Sequence, residues 1–481
     1  MTPLYDALRT HALSNTLAFD VPGHKKGLAI PQRFIDDVGI DIFKMDANST
    51  KALDLLSNPE GVIAQAEALA AELFGADAAY FLVNGSTAGV QNMILASVTD
   101  GEKIILPRNV HKSAINALVL SGARPIYVEP QVHPQTGIAM GVSKEAYAQA
   151  IEAHPDAKAV FVLHPTYHGF TSDVRAIAHH AHEHNMLVLA DQAHGSLFSF
   201  HEALPESAIQ CGADLATLSL HKSAGSLSQS SLMLLKEGRI SKGRVRTAIN
   251  LMQTSSASYL LMGSLDLARH ALAHHGTKNI ERLLPLIQKF KTTLHQHTDL
   301  RLMDRDHCDA SSISHDPMKL CIDFSAYNLS GFEAYDQLVE HYDLQPELGE
   351  SRIVLALTSF ADDVFSLDRL AKSLIEFTKT LSKRPTIPEA WVMEAFPPQV
   401  LTPRQAYLKD SESIALDDAL NRIAADALMI YPPGIPIVVP GEVVTRTVIE
   451  QFKRWVQKDN VVLGATLKQD THHVRVLKEK E

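Results

Sequence analysis

Two apolar runs of strand length, Ala159-Val-Phe-Val-Leu163 and Leu187-Val-Leu-Ala190, flank a segment in which Val174, Ile177, Ala178 and Ala181 recur at helical spacing. A strand that is apolar at every position offers no face to water and must be covered on both sides. Strand, helix, strand in that order does so when the strands lie parallel in one sheet and the helix crosses over its face. This unit limits the chain to an α/β architecture. Ala79-Tyr-Phe-Leu-Val83 and Ile104-Ile-Leu-Pro107 repeat the pattern, each followed by a helical run, and the stretch from Gln229 to Leu235 reads as a returning strand. The predicted fold is a large, mostly parallel sheet with helices on both faces.

With 481 residues and 46% hydrophobic content, the chain has enough apolar surface for two or three cores. We expect an N-terminal segment over residues 1–60, a large domain over 61–300 and a smaller α/β domain over 301–382, the last with strands around Lys319 to Phe324 and Ile353 to Leu357. Residues 383–388 read as a linker, followed by a C-terminal α+β domain over 388–481.

Open α/β sheets hold their ligands at the carboxyl ends of the strands, and three such ends are chemically loaded. The run Asp214-Leu-Ala-Thr-Leu218 ends in Ser219-Leu-His221-Lys222, followed by glycine and small hydroxyl residues. A lysine at that position can lose its proton and act as an amine nucleophile. The strand ending at Ala190 delivers Asp191. After Val83, Asn84-Gly85-Ser86-Thr87 opens a helix, and unpaired amides with hydroxyls at a helix start form an anion site.

These motifs resemble the Orn/Lys/Arg decarboxylase family, whose members use pyridoxal 5'-phosphate (PLP) on the aspartate-aminotransferase-like architecture, PLP-dependent transferase fold type I. The similarity rests on Ser219-x-His221-Lys222 with Gln229, on Asp191-Gln-Ala193-His194-Gly195, on Arg108-Asn-Val-His111-Lys-Ser113 and on Val21-Pro-Gly-His-Lys25. Thr166-Tyr-His-Gly169, the hydroxyl-rich segment from Gln253 to Asp266, and Tyr431-Pro-Pro-Gly-Ile-Pro436 running on to Glu442 extend it over most of the chain.

The resemblance implies a role for each matching residue. Lys222 holds PLP as a Schiff base, with Ser219 and His221 beside it. Ser86 and Thr87 contact the cofactor phosphate, and Asp191 faces the pyridine nitrogen. Ala193 packs on the ring, His194 lines the active-site wall and His111 stacks on the ring. Either His111 or His221 handles the proton. Glu442 either meets the cationic end of the substrate or holds a subunit contact.

The activity so implied is decarboxylation of a basic amino acid, arginine first, with lysine and ornithine next. Two alternatives are another fold-type-I aminotransferase or lyase, and a regulatory homologue without catalysis. Two departures stand out: Gln192 replaces a commoner glutamate, and residues 41–61 carry Asn-Ser-Thr and Leu53-Asp54-Leu-Leu-Ser57 where relatives have a threonine-glutamate pair and Leu-Asp-Asp-Leu-His. The architecture implies a homodimer or higher assembly. The chain resembles the short form that lacks an N-terminal receiver-like domain.

Charge and composition exclude other classes. A net charge of -11, from 44 basic and 55 acidic residues, opposes a general nucleic-acid surface. Cys211, Cys308 and Cys321 are too dispersed for a disulfide framework or a thiolate metal site. His179, His180, His182 and His184 share one predicted helix without a glutamate in zincin order, so they read as a solvated face, and no metal is expected. No uncharged run approaches the roughly 20 residues of a membrane span and no signal peptide opens the chain, so a cytoplasmic protein is expected.

Overall fold

The computed structural model describes residues 1–386, 396–430, 435–456 and 462–479. The end of the predicted linker, residues 387–388, and the first part of the proline-rich signature, residues 431–434, lie outside these. The chain forms two compact units. One comprises Met1–Ala96 with Leu187–Glu281, the other Ser97–Met186 with Arg282–Glu481. In chain order, the strands that matter for the site are β1 (Ala78–Leu82), β2 (Lys103–Pro107), β3 (Arg124–Val128), β4 (Ala159–Leu163), β5 (Phe170–Thr171), β6 (Leu187–Asp191), β7 (Leu215–Leu218) and β8 (Ser231–Leu235).

In the first unit the strand order is β1-β8-β7-β6. β6 and β7 run parallel with Asp191 opposite Thr217, whereas β8 is antiparallel to β7 and β1 is antiparallel to β8. Phe81, Leu82, Leu189, Ala190, Leu215, Ala216, Leu232 and Met233 are all fully buried, as strands covered on both faces require. Each such Leu, Phe or Met contributes roughly 1.5–3 kcal/mol of transfer free energy. The helix Val62–Phe74 packs on β1 with Ile63, Ala66 and Ala70 inward and ends at Gly75 in the left-handed region. A helix of 39 residues, Tyr259–His297, begins in this unit and ends in the other.

In the second unit β2 lies parallel to β3 on one side and to β4 on the other. Lys319–Asp323 and Ile353–Leu357 are strands, as predicted, in an antiparallel sheet completed by Arg301–Met303 and Leu348–Gly349. Towards the C-terminus, two three-stranded antiparallel sheets and the helix Arg446–Val456 enclose a core that includes Leu416, Leu428, Val438, Val448, Phe452 and Val474.

Candidate active site

Asp191 and Ser219 follow from the ends of neighbouring parallel strands, so the turns after β6 and β7 emerge at the same edge. Two backbone bonds tie them, Gln192 N–H to Thr217 O (3.0 Å) and Ser219 N–H to Ala193 O (3.3 Å), and a third within the turn after β7 runs from Lys222 N–H to Ser219 O (3.2 Å). The last closes a one-turn helix, Leu220–Ser223, which projects Lys222 back across the edge. Its Nζ comes to rest 2.7 Å from His194 Nε2. His194, expected only as a wall, is thus a direct partner of the lysine.

Burial raises the Asp191 carboxyl above the ordinary carboxylate range, while the positive charge of Lys222 and the Ala193 N–H, which donates to Oδ1 at 3.1 Å, pull it back. His221 moves the opposite way. Burial lowers its pKa, opposed by a bond to the Ser230 carbonyl and reinforced by Lys222. Because a carbonyl only accepts, His221 Nδ1, 2.8 Å from Ser230 O, carries the proton, and Nε2 is left as an acceptor. Gln192 turns away from this edge into the protein. Its Nε2 donates to Gly195 O (2.8 Å) and its Oε1 accepts Ala208 N–H (2.7 Å), a pairing that only an amide can make.

Behind the lysine turn lies a buried chain of hydroxyls. Ser219 Oγ donates to Ser86 Oγ at 2.7 Å, and Ser86 reaches Ser231 Oγ at 3.3 Å and Thr217 Oγ1 at 3.4 Å. Ser86 sits in the first turn of the helix Gly85–Ser97, where amides have no partner inside the helix. Thr87 next to it is exposed. Gly85 holds φ +72° and donates its N–H to Gln229 O (2.8 Å), and Gln229 itself holds φ +77°. Thr217 and Ser231 were missed in the sequence because strand hydroxyls carry no motif. Gly89, one helical turn beyond Ser86, is the signal that could have found Thr217, since any side chain there would collide with it.

His111 and Glu442 lie in the second unit. His111 caps the helix Lys112–Ser121, its Nδ1 accepting Ser113 N–H at 3.2 Å, so its ring proton sits on Nε2. Glu442 is buried against a partner within its own unit. It is 1% exposed, pairs with Arg108 Nη2 at 2.9 Å and accepts Val439 N–H at 2.8 Å. In the N-terminal segment His24 Nε2 meets Asp46 Oδ2 at 3.0 Å, and Lys26 Nζ donates to His11 O (3.1 Å) and Ser14 O (2.9 Å), closing the end of the helix Pro3–Leu13. The divergent loop is fixed by Asp54, whose carboxylate accepts the backbone N–H groups of Leu55, Glu60, Gly61 and Ile63, while its carbonyl accepts the Tyr259 hydroxyl at 2.6 Å.

A strand-end lysine with a carboxyl at the end of the neighbouring parallel strand is shared by several enzyme classes, and comparison with known proteins decides among them. The model of the Orn/Lys/Arg decarboxylase major domain matches residues 2–347, and that of the Orn/Lys/Arg decarboxylase C-terminal domain matches residues 388–475. The chain belongs to the Orn/Lys/Arg decarboxylase family. Relatives of full length agree. An arginine decarboxylase of Bacillus subtilis (strain 168) is 37% identical over 486 residues, covering 100% of this chain and 98% of the relative. One of Halalkalibacterium halodurans is 38% identical over 485 residues, again 100% and 98%. The Francisella novicida lysine decarboxylase LdcF superposes with a TM-score of 0.86 at 20% identity over 99% of this chain and 81% of its own, a likeness of fold. Enzymes of the family and of this fold are PLP-dependent, and the chain is a decarboxylase of a basic amino acid. Among the described residues no helix is long and apolar enough to cross a membrane.

Proposed function

We propose that the chain decarboxylates arginine to agmatine with PLP attached to Lys222. The observation that carries this reading is the meeting of Lys222 with His194 (2.7 Å), beside Asp191, at the ends of two adjacent parallel strands. The residues present fit PLP on chemical grounds. An amine, a partly buried carboxyl and a hydroxyl-lined helix start match its aldehyde, its ring nitrogen and its phosphate. When bound, PLP supplies an aldehyde for the substrate amine and a protonated ring that accepts the electron pair left as carbon dioxide departs.

The protein's own groups do the rest. Lys222 is held in place by its bond to His194, which keeps the amine directed and accepts one of its protons. Asp191, once ionised, would accept the ring N–H and keep that nitrogen protonated. Ser86, Thr87 and the first-turn amides would bind the phosphate, while Ser219 orients Ser86. Ala193, 8% exposed, would pack against the ring. Of the two candidate proton handlers, His111 carries its proton on Nε2, whereas His221 spends its N–H on Ser230 and offers only an acceptor. We assign proton return at Cα to His111 and an orienting role to His221. Arginine is favoured over lysine and ornithine by the full-length relatives named for it.

Self-association is part of the reading. Leu17, Phe19 and Leu28 in the N-terminal segment are 75%, 88% and 87% exposed, an apolar stretch that a second copy would cover. Light scattering should report at least a dimer, in keeping with a cytoplasmic enzyme of this architecture.

The deciding experiment is an absorbance spectrum of the purified protein, followed by assays of carbon dioxide and amine release from arginine, lysine and ornithine separately. A cofactor band with release from arginine supports the proposal. Release from lysine or ornithine alone overturns the substrate, and failure to take up added PLP overturns the role of Lys222.

A further inference from the structure

Arg108 leaves the sheet directly after β2, its N–H donating to Val128 O at 3.0 Å. Its side chain is 1% exposed and is fixed on three sides. Nη2 meets Glu442 Oε2 at 2.9 Å, and the guanidinium lies 5.1 Å from the ring centroids of both Tyr127 and Phe396. Its Nε and Nη1 have no hydrogen-bond partner among the described residues. A buried cation with two idle donors is poor economy for stability alone, and buried pairs of this kind are better explained where they fix a geometry.

Three residues beyond Arg108 stands His111, which caps the helix Lys112–Ser121. The other end of that helix is held from the same C-terminal region. Arg404, on the helix Pro403–Tyr407, donates to Val119 O at 2.8 Å and to Leu120 O, and pairs with Asp100 at 3.2 Å. These are last-turn carbonyls with no partner inside their helix. Glu442 and Arg404 therefore grip the short segment that carries His111 from both ends. We propose that Glu442, acting through Arg108, is a positioning residue for His111, with Arg404 as the second clamp. This rests on the reading in which His111 serves the active site. It gives the C-terminal region a part in the chemistry without any contact with substrate.

The test is a double-mutant cycle with Glu442→Gln, His111→Ala and both together, plus Arg404→Ala alone and with His111→Ala. Each full-length variant is measured for PLP affinity by absorbance titration, for kcat and KM with arginine, and for the thermal midpoint of the cofactor-free protein. A shift of about 1 Å in a positioned group can lower turnover about a hundredfold. Glu442→Gln should lower kcat about ten- to a hundredfold and weaken PLP binding severalfold, with KM within about twofold of wild type. In the His111→Ala background the same substitution should change neither, because the two act in series. Arg404→Ala should give the same pattern in weaker form and carries the test if Glu442→Gln does not fold. Additive losses in the His111→Ala background overturn the inference. So does a raised KM with unchanged kcat, which would put Glu442 on the substrate, or a lowered thermal midpoint with wild-type binding and turnover. Wild-type protein that fails to turn over arginine counts against the proposed function instead, and the PLP titrations of the same variants still decide the positioning role.

Discussion

Lys222 Nζ lies 2.7 Å from His194 Nε2, although neither residue is fully buried and 28 positions separate them. The lysine enters from the turn after β7 and the histidine from the turn after β6, so the contact is a product of parallel pairing. An imidazole nitrogen that accepts from an ammonium group holds the amine in one place. Lys222→Ala should remove the cofactor band and reduce turnover by about a thousandfold or more. His194→Ala should retain the band with a rate loss of about ten- to a hundredfold, since it removes orientation and leaves the nucleophile. Spectra and kcat measured side by side check both.

Asp191→Asn separates stability from activity. Burial raises the Asp191 pKa above its unfolded value, so between the two values the folded protein binds more protons than the unfolded chain, and stability falls as pH rises through that window. Above its unfolded pKa the buried carboxyl is therefore a net cost to the cofactor-free protein. Asn removes that cost, and the thermal midpoint at pH 7 should be unchanged or higher. Turnover should fall by about a hundredfold or more because the ring nitrogen loses its counter-charge. A clear drop in the midpoint would refute the stability half.

Gly89 leaves no room for a side chain. A Cβ there would lie 2.0 Å from Thr217 Oγ1 and 2.8 Å from Thr217 Cβ. Gly89→Ala should destabilise by about 1–3 kcal/mol and displace the hydroxyl chain that ends at Ser86, weakening PLP binding. Thr217→Ala in the same chain makes room, so the double variant should recover part of the lost stability. Denaturant melts and PLP titrations of the three variants measure it.

Gln192→Glu installs the glutamate that the family resemblance implies at this position and should nevertheless be harmful here. The glutamate cannot donate to Gly195 O, and a buried carboxylate would face a carbonyl in place of an amide. A loss of about 1–3 kcal/mol is expected, growing with pH as the carboxyl ionises. Equal stability at pH 6 and pH 8 would contradict the pairing described.

Sequence periodicity and strand-end chemistry made Lys222, Asp191 and the Ser86 loop legible, because each depends on local information: an apolar strand, its end, and the polar residue that follows. The helix over Val174 to Ala181 was legible in the same way, from the spacing of its apolar residues. Contacts between distant segments were not legible. The Ser86–Ser219 bond joins residues 133 positions apart and the Arg108–Glu442 pair 334, and no local pattern encodes either. Glu442 shows the difference most clearly. Its place beside a proline-rich signature suggested a group offered to substrate or to a second subunit, yet a carboxylate at 1% exposure needs a partner already inside the protein, and only the fold brings Arg108 to it. The sequence by itself determined which strand ends carry reactive side chains, because strands and helices form from neighbours. The tertiary structure decided which polar groups hold one another, because a buried charge or hydroxyl takes the partner that chain packing delivers.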